Sequence, residues 1–199
     1  MTKKLMTSVG VLIATASAAH ADQGSHAAKG SKEIAVESIL IVGHQSQNEV
    51  AVTQVTALGG LSFRYFMAKR MSVGVSLGGF YRTGGPDESD SGAVVRFIGS
   101  AYLPLAKRFF IAPTLGLGGM FGSRRRPLGG DMVLSRSLVG GAFSAALPFV
   151  LYTRSRFDVR AGPELLATLG SVAAPISGGE TDSFVTVDAG FSVGISWTF

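Results

Sequence analysis

The last fifteen residues of the chain alternate strictly between apolar and small or polar side chains. From 185 to 199 every odd-numbered residue is apolar, and every even-numbered one is Thr, Asp, Gly or Ser. A period of two residues is that of a β-strand, whose successive side chains point to opposite faces. The segment therefore predicts a strand with one apolar and one polar face.

The same alternation recurs upstream and predicts seven more strands, with no helical period between them. Short and long connections alternate along the chain. The three short ones are 67–70, 105–108 and 150–155, and the four longer ones are 43–50, 83–92, 122–133 and 170–183. This order joins each strand to the next by a hairpin. The predicted fold is all-β, eight-stranded, antiparallel and up-and-down, with upstream strands at 34–42, 51–66, 71–82, 93–103, 109–121, 134–147 and 157–169.

The polar face carries a balanced set of charges. Arginine–carboxylate networks that share hydrogen bonds are tolerated in a confined interior, whereas unpaired charges there are costly. The balance favours the filled lumen of a closed barrel. The alternative is that these charges lie on the solvated face of an ordinary sandwich. The predicted lumen charges are Glu37, Arg64, Arg96, Arg136, Asp158, Arg160, Glu164 and Asp188.

Aromatic residues cluster near both sets of connections and border the apolar face. Two aromatic girdles around an apolar band are typical of a transmembrane β-barrel, whose closure pairs every backbone group in lipid. With 46% hydrophobic and only 16% charged residues, the chain is neither disordered nor an ordinary soluble domain. The girdle residues are Tyr65, Tyr102, Phe109, Phe149, Tyr152, Phe157, Trp197 and Phe199 at the short connections, and Phe80, Tyr81, Phe121 and Phe184 at the long ones.

The start of the chain predicts a secretory signal peptide at 1–21. Two lysines precede an apolar stretch that ends in Ala19-His20-Ala21, and a charged start with a small-x-small end indicates cleavage after Ala21. Loss of the two lysines would lower the formal net charge from +5 to +3. Residues 22–33 predict a flexible lead-in, which leaves 34–199 for the barrel; without cysteine, no disulfide braces it.

The end of the chain resembles the C-terminal assembly signal of bacterial outer-membrane proteins. In that signal a terminal aromatic residue follows apolar residues at alternate positions. The resemblance implies export to a Gram-negative outer membrane and recognition by the barrel-assembly machinery. Over 34–199 the chain resembles small eight-stranded barrels of the OmpA-membrane-domain and opacity-protein kind, which implies fold and location but no catalytic residue. The matching positions are Phe191, Val193, Ile195, Trp197 and Phe199.

Catalytic and cofactor residues are sparse. Some small outer-membrane barrels resemble Ser/His hydrolases that act on lipid A, and such catalysis needs a base beside the hydroxyl. Beyond the predicted signal peptide the only histidines are His26, in the lead-in, and His44, in a predicted loop near Ser46 without a placed carboxylate. There are too few histidines for a zinc site, and the acidic residues of the predicted loops lack the spacing of a calcium-binding loop. The sequence therefore predicts a protein with no catalytic residue, cofactor or metal.

Arg124, Arg125 and Arg126 form the densest charge cluster and lie in a predicted loop. On a cell surface they could pair with lipopolysaccharide phosphates or an acidic partner. Equally, they could form an exposed loop tip that pairs with Asp87, Glu88 or Asp131. The other basic residues are spread over turns and lumen, which argues against nucleic acid as a partner.

The sequence thus predicts a non-enzymatic outer-membrane barrel that displays surface loops for envelope integrity or adhesion. Its partners would be outer-membrane lipid, lipopolysaccharide and the assembly machinery. The alternatives are a narrow, porin-like pore, a lipid A-modifying enzyme, and a soluble lipocalin-like barrel with an apolar inside.

Overall fold

The computed structural model describes residues 27–47, 50–84, 88–129, 132–153, 156–173 and 181–199. Within these ranges no helix is long and apolar enough to cross a membrane. The strands are β1 (Lys32–Gln47), β2 (Val50–Ala68), β3 (Met71–Gly84), β4 (Glu88–Ala101), β5 (Leu103–Pro104), β6 (Phe109–Ile111), β7 (Thr114–Gly129), β8 (Met132–Ala146), β9 (Phe149–Tyr152), β10 (Phe157–Val172) and β11 (Asp182–Thr198).

Eight of these strands form a closed antiparallel ring. Their order is β11-β1-β2-β3-β4-β7-β8-β10, and pairing of β10 with β11 closes the circle. The short strands β5, β6 and β9 prolong β4, β7 and β8 and pair alongside β10 in the order β10-β9-β6-β5. The predicted eight-stranded up-and-down barrel is confirmed. We call the end with the connections at 69–70 and 105–108 the turn end, and the opposite one the loop end.

Prolines divide two of the predicted strands. β6 and β7 are separated at Ala112 and Pro113, and β8 and β9 at Leu147 and Pro148. Proline has no backbone N–H to donate to a ladder. Its carbonyl still accepts: Ala112 N–H donates to Pro148 O at 2.8 Å. The barrel wall therefore stays connected across the breaks.

The strands tilt steeply around the barrel. Following paired residues once around the ring from Glu33 leads back to β1 at Gly43, a stagger of ten residues. With eight strands, this stagger gives a tilt of about 40°. Neighbouring strands in this tilted ring lie in close contact. At Gly118, for example, a Cβ atom would overlap the carbonyl oxygen of Val95.

The outside of the barrel is apolar. Phe97, Leu117 and Leu169 are the most exposed of the described large apolar side chains, at 72%, 67% and 64%. Among the described strand side chains that point outward, charge occurs only near the rims, at Lys32 and Arg125. An apolar exterior around a charged interior is the reverse of a lipocalin, so that alternative is wrong.

The aromatic girdles are only partly as predicted. Tyr65, Phe157 and Trp197 are exposed at the turn end, where the rings of Phe157 and Trp197 stack with centroids 6.2 Å apart. Tyr102 and Tyr152 instead point inward, because they share the phase of the polar face. They belong to a cluster that fills the turn end, the mouth cluster, made of Phe66, Tyr102, Phe110, Ala112, Val150 and Tyr152. Phe80 and Phe184 also point inward.

The strands at the loop end run further than predicted. β1 continues to Gln47 and β4 starts at Glu88, so most of the predicted long connections 43–50, 83–92 and 122–133 are strand. β1 also starts earlier, since Lys32 and Glu33 of the predicted lead-in lie in it. The alternation fades at these ends because both faces of the strands become polar there.

Candidate functional site

The lumen contains a layer of apolar side chains between two groups of charges. Along β4, Arg96, Val94 and Asp90 follow one another toward the loop end, all pointing inward and all buried. Val94 belongs to the apolar layer, whose buried members are Ile39, Leu58, Phe80, Val94, Met120, Leu138, Ala142, Leu166, Val172 and Phe184.

Toward the turn end, two arginines and two glutamates form the turn-end ion cluster. Arg64 and Arg160 each donate to Glu33 Oε1 at 2.6 Å. The same arginines donate to Glu37 Oε1 at 2.8 and 3.3 Å. Three of the four side chains are at most 4% exposed, and Glu37 is 19% exposed. Each guanidinium thus bridges both carboxylates, an arrangement that neutralises charge without water.

Further polar contacts surround this cluster. Tyr102 Oη donates to Glu33 Oε2 at 3.4 Å, and Arg160 Nη2 donates to Ser196 Oγ at 3.0 Å. Asp158 Oδ2 accepts from Ser196 and Thr198 at 3.4 and 3.1 Å. The cluster is therefore tied to strands β1, β2, β10 and β11 and to the residue that follows β4.

Arg96 and Glu164 form a separate ion pair beside the apolar layer. Arg96 Nη1 donates to Glu164 Oε1 at 3.0 Å, and both side chains are at most 7% exposed. Ser76 Oγ accepts from Arg96 Nη2 at 3.4 Å. The pair spans the lumen, because β4 and β10 are not neighbours in the ring.

On the other side of the apolar layer lies the loop-end ion cluster of Arg82, Asp90, Arg124 and Asp188. Arg82 Nη2 donates to Asp188 Oδ2 at 2.9 Å. Arg124 binds Asp90 through two hydrogen bonds of 2.8 and 3.0 Å, and its guanidinium lies 5.5 Å from the ring centre of Phe184. Bidentate pairing is the strongest geometry available to arginine.

All eight predicted lumen charges point inward, but Arg136 differs from the rest. It pairs with Asp182 at 3.0 Å near the loop end, with the two side chains 30% and 46% exposed. Four buried members of the lumen network were absent from the predicted set, namely Glu33, Arg82, Asp90 and Arg124. Arg82 shares the parity of the polar face and was open to prediction, whereas Glu33 and Asp90 fall in segments predicted as non-strand.

The arginine triplet is split by the pleat of β7. Arg124 points into the lumen and is 7% exposed, so its prediction as a surface-loop contact is wrong. Arg125 is exposed on the outside, and the 65% exposed Arg126 pairs with Glu88 at 3.4 Å. The error arose because 122–133 was predicted as a loop, in which side chains have no alternating direction.

The lumen is filled over its described length. Two cavities lie among its charges, with volumes of about 30 and 50 Å³, and each has room for only a few water molecules. One lies against Arg64, Arg96 and Arg160, and the other against Arg124 and Arg136.

The candidate base His44 belongs to strand β1, where its backbone is opposite Thr53 and Val187. His26, Asp87 and Asp131 lie outside the described residues. Among the residues that the structure describes, no group of three or more His, Cys, Asp or Glu side chains is placed to hold a metal ion.

The closed eight-stranded ring and its apolar exterior are the architecture of a transmembrane β-barrel. No family model matches the chain, and no curated protein matches its sequence. Its fold, however, is that of known barrels.

Three solved structures illustrate the likeness. Neisserial surface protein A aligns over 86% of this chain and 100% of its own, with a TM-score of 0.53 and 10% identity. The outer membrane protein OprG from Pseudomonas aeruginosa aligns over 90% and 99%, with a TM-score of 0.52 and 12% identity. The outer membrane protein AlkL, solved in lipid bilayers, aligns over 91% and 95%, also at 0.52 and 12%. At these identities the likeness concerns the fold.

Proposed function

We propose that the protein is an integral outer-membrane scaffold with a permanently closed lumen and no enzymatic activity. The observation that carries this proposal is the filled interior, in which an apolar layer lies between two ion clusters. Passage of an ion or solute would have to separate buried ion pairs, at a cost of several kcal/mol for each. Residues 1–21 are the proposed export signal, and β11 together with Phe199 is the segment proposed to be recognised by the assembly machinery.

Conductance across a planar lipid bilayer tests the closed lumen. We expect no discrete current steps when the protein, purified from membranes, is added at high load. A porin added to the same bilayer serves as the positive control. Regular single-channel steps from this protein would establish a pore and overturn the closed-lumen proposal.

The proposed role of the barrel is to hold strand hairpins beyond the membrane surface. β2 has 19 residues and spans roughly 48 Å along the axis at a tilt of about 40°. The apolar band of such a barrel is only about 25 Å tall. The excess length supports hairpin ends that extend beyond the lipid, and with them a role in envelope integrity or surface adhesion.

Arg125 is the proposed contact to lipopolysaccharide or to an acidic surface partner. It is exposed on the outside of β7 and four positions beyond Phe121 of the apolar band. A guanidinium at this height suits a phosphate group. Substitution Arg125→Ala should weaken the stabilisation of the barrel by added lipopolysaccharide, while Arg124→Lys inside the lumen should not change the added stabilisation. An equal loss in both variants would contradict an outward contact.

Mass spectra of lipid A test the proposed lack of enzymatic activity. We expect the same spectrum from cells with and without the protein. A new or missing acyl chain that reverts in the variant His44→Ala would show catalysis and identify its base.

A further inference from the structure

A cavity of about 760 Å³ opens at the turn end of the barrel. Three segments surround it: residues 27–29 before β1, the connection 69–70 between β2 and β3, and residues 104–107 from the end of β5 into the connection to β6. Phe110 and Tyr152 also line it, and both belong to the mouth cluster. Because the mouth cluster fills the barrel at this end, the cavity is separate from the lumen ion clusters.

The charges that line the cavity all have one sign. Lys29, Lys69, Arg70 and Lys107 converge on it from the three segments, and no acidic side chain is among its described lining residues. None of the four makes an ion pair with a residue that the structure describes. Four cations in one concave surface, with no counter-charge among the described residues that line it, attract an anion from solution.

Two of the cations come from a repeated turn. Ala68-Lys69-Arg70 and Ala106-Lys107-Arg108 occupy equivalent connections between strands. The repeat places both Lys69 and Lys107 in the lining of the same cavity. The structure of the lumen gives this repeat no other role.

Arg70 is held in a conformation that an arginine rarely adopts. Its φ is 65°, in the left-handed region. Its N–H donates to Ala27 O at 2.9 Å, and its carbonyl accepts from Tyr102 N–H at 2.8 Å. Its guanidinium lies 5.9 Å from the ring centre of Phe110. Such a conformation persists only where the surroundings fix it, and here the two hydrogen bonds hold the backbone of Arg70 at the edge of the cavity.

We propose that this cavity binds a phosphorylated ligand. A forked guanidinium and several ammonium groups match the shape and charge of phosphate. The remaining wall, formed by Pro104, Leu105 and Phe110, suits the uncharged part of the ligand. The volume is in the range of sites for small organic molecules, so the ligand is larger than inorganic phosphate. It is either a soluble phosphate ester or the headgroup of an anionic phospholipid.

Titration calorimetry with pyrophosphate tests the proposal on the full protein in a zwitterionic, phosphate-free detergent. We expect saturable binding at one site that weakens as sodium chloride rises. The double variant Lys69→Ala/Lys107→Ala should lower the affinity at least tenfold. Lys32→Ala removes one positive charge from the same rim outside the cavity lining and should change the affinity less than twofold. Heat-modifiable gel migration checks that each variant is folded.

The source of the phosphate is decided in lipid nanodiscs. If the ligand is soluble, pyrophosphate binds equally in phosphatidylcholine and phosphatidylglycerol discs. If it is a headgroup, phosphatidylglycerol blocks pyrophosphate binding. Two results would overturn the proposal: no saturable binding in detergent, or a loss in Lys32→Ala as large as in the double variant, since the latter indicates a diffuse rim charge instead of a site.

Discussion

At the scale of single residues, Glu33 has the most demanding position in the lumen. Both Arg64 and Arg160 donate to the same oxygen of its carboxylate, and the side chain is wholly buried. Its second oxygen accepts from Tyr102. Buried ion pairs are not in themselves strong evidence for stability, but removal of one partner leaves a buried charge uncompensated. The cluster is thus most sensitive at the residue that its two arginines share.

Substitution Glu33→Gln keeps the size of the side chain and removes its charge. Two guanidinium groups then face Glu37 alone, and we expect the free energy of unfolding to fall by about 3–5 kcal/mol. Urea unfolding in lipid vesicles, followed by fluorescence of the single tryptophan, Trp197, measures the change. The matched control is Glu88→Gln, whose partner Arg126 is largely exposed; it should cost at most about 1 kcal/mol. Equal stability of Glu33→Gln and the wild type would show that Glu33 is not needed as a counter-charge.

At the scale of the strand, alternation predicted the direction of side chains better than the ends of strands. Where one face meets the apolar exterior, as in β11, parity separates inside from outside at every residue. Near the loop end both faces are polar, so nothing in the sequence distinguished strand from loop at Asp90 or Arg124. Parity also showed that the four predicted arginines point inward, but not which carboxylate each one contacts. Those partners depend on the stagger of ten residues around the ring. The stagger is a property of all eight strands together and cannot be deduced from the pattern of any one strand.

Glycines in the strands divide into two kinds that follow the parity of the two faces, since the crowded ones point inward and the open ones outward. A Cβ at Gly118 would overlap the backbone of Val95, whereas a Cβ at Gly99 meets nothing within 4 Å. Gly118→Ala should therefore destabilise the barrel by about 1–3 kcal/mol, because backbone would have to shift. Gly99→Ala should stay within about 0.5 kcal/mol of the wild type. The same unfolding assay compares them, and a cost at Gly99 as large as at Gly118 would show that the close approach of β4 and β7 is unimportant.

At the scale of the whole molecule, the barrel resolves an apparent conflict in composition. The chain is apolar yet contains 27 glycines, a residue that brings no apolar surface. Large apolar side chains occupy the exterior, while inward glycines such as Gly118 let tilted strands approach closely. The arginines and carboxylates then fill the remaining interior. A charged core and an apolar surface are compatible only if the surface meets lipid.

Arginine substitutions at two depths of β7 test whether the apolar surface of the barrel meets lipid. Leu117 is 67% exposed on the outside of the apolar band, and Ser123 lies on the same face six residues nearer the loop end. In a bilayer, an arginine at mid-depth costs about 2–4 kcal/mol and one near the interface about 0–1 kcal/mol. We therefore expect Leu117→Arg to destabilise the barrel in phospholipid vesicles far more than Ser123→Arg. In water both positions would be solvated, so equal effects of the two substitutions would contradict a membrane-embedded barrel.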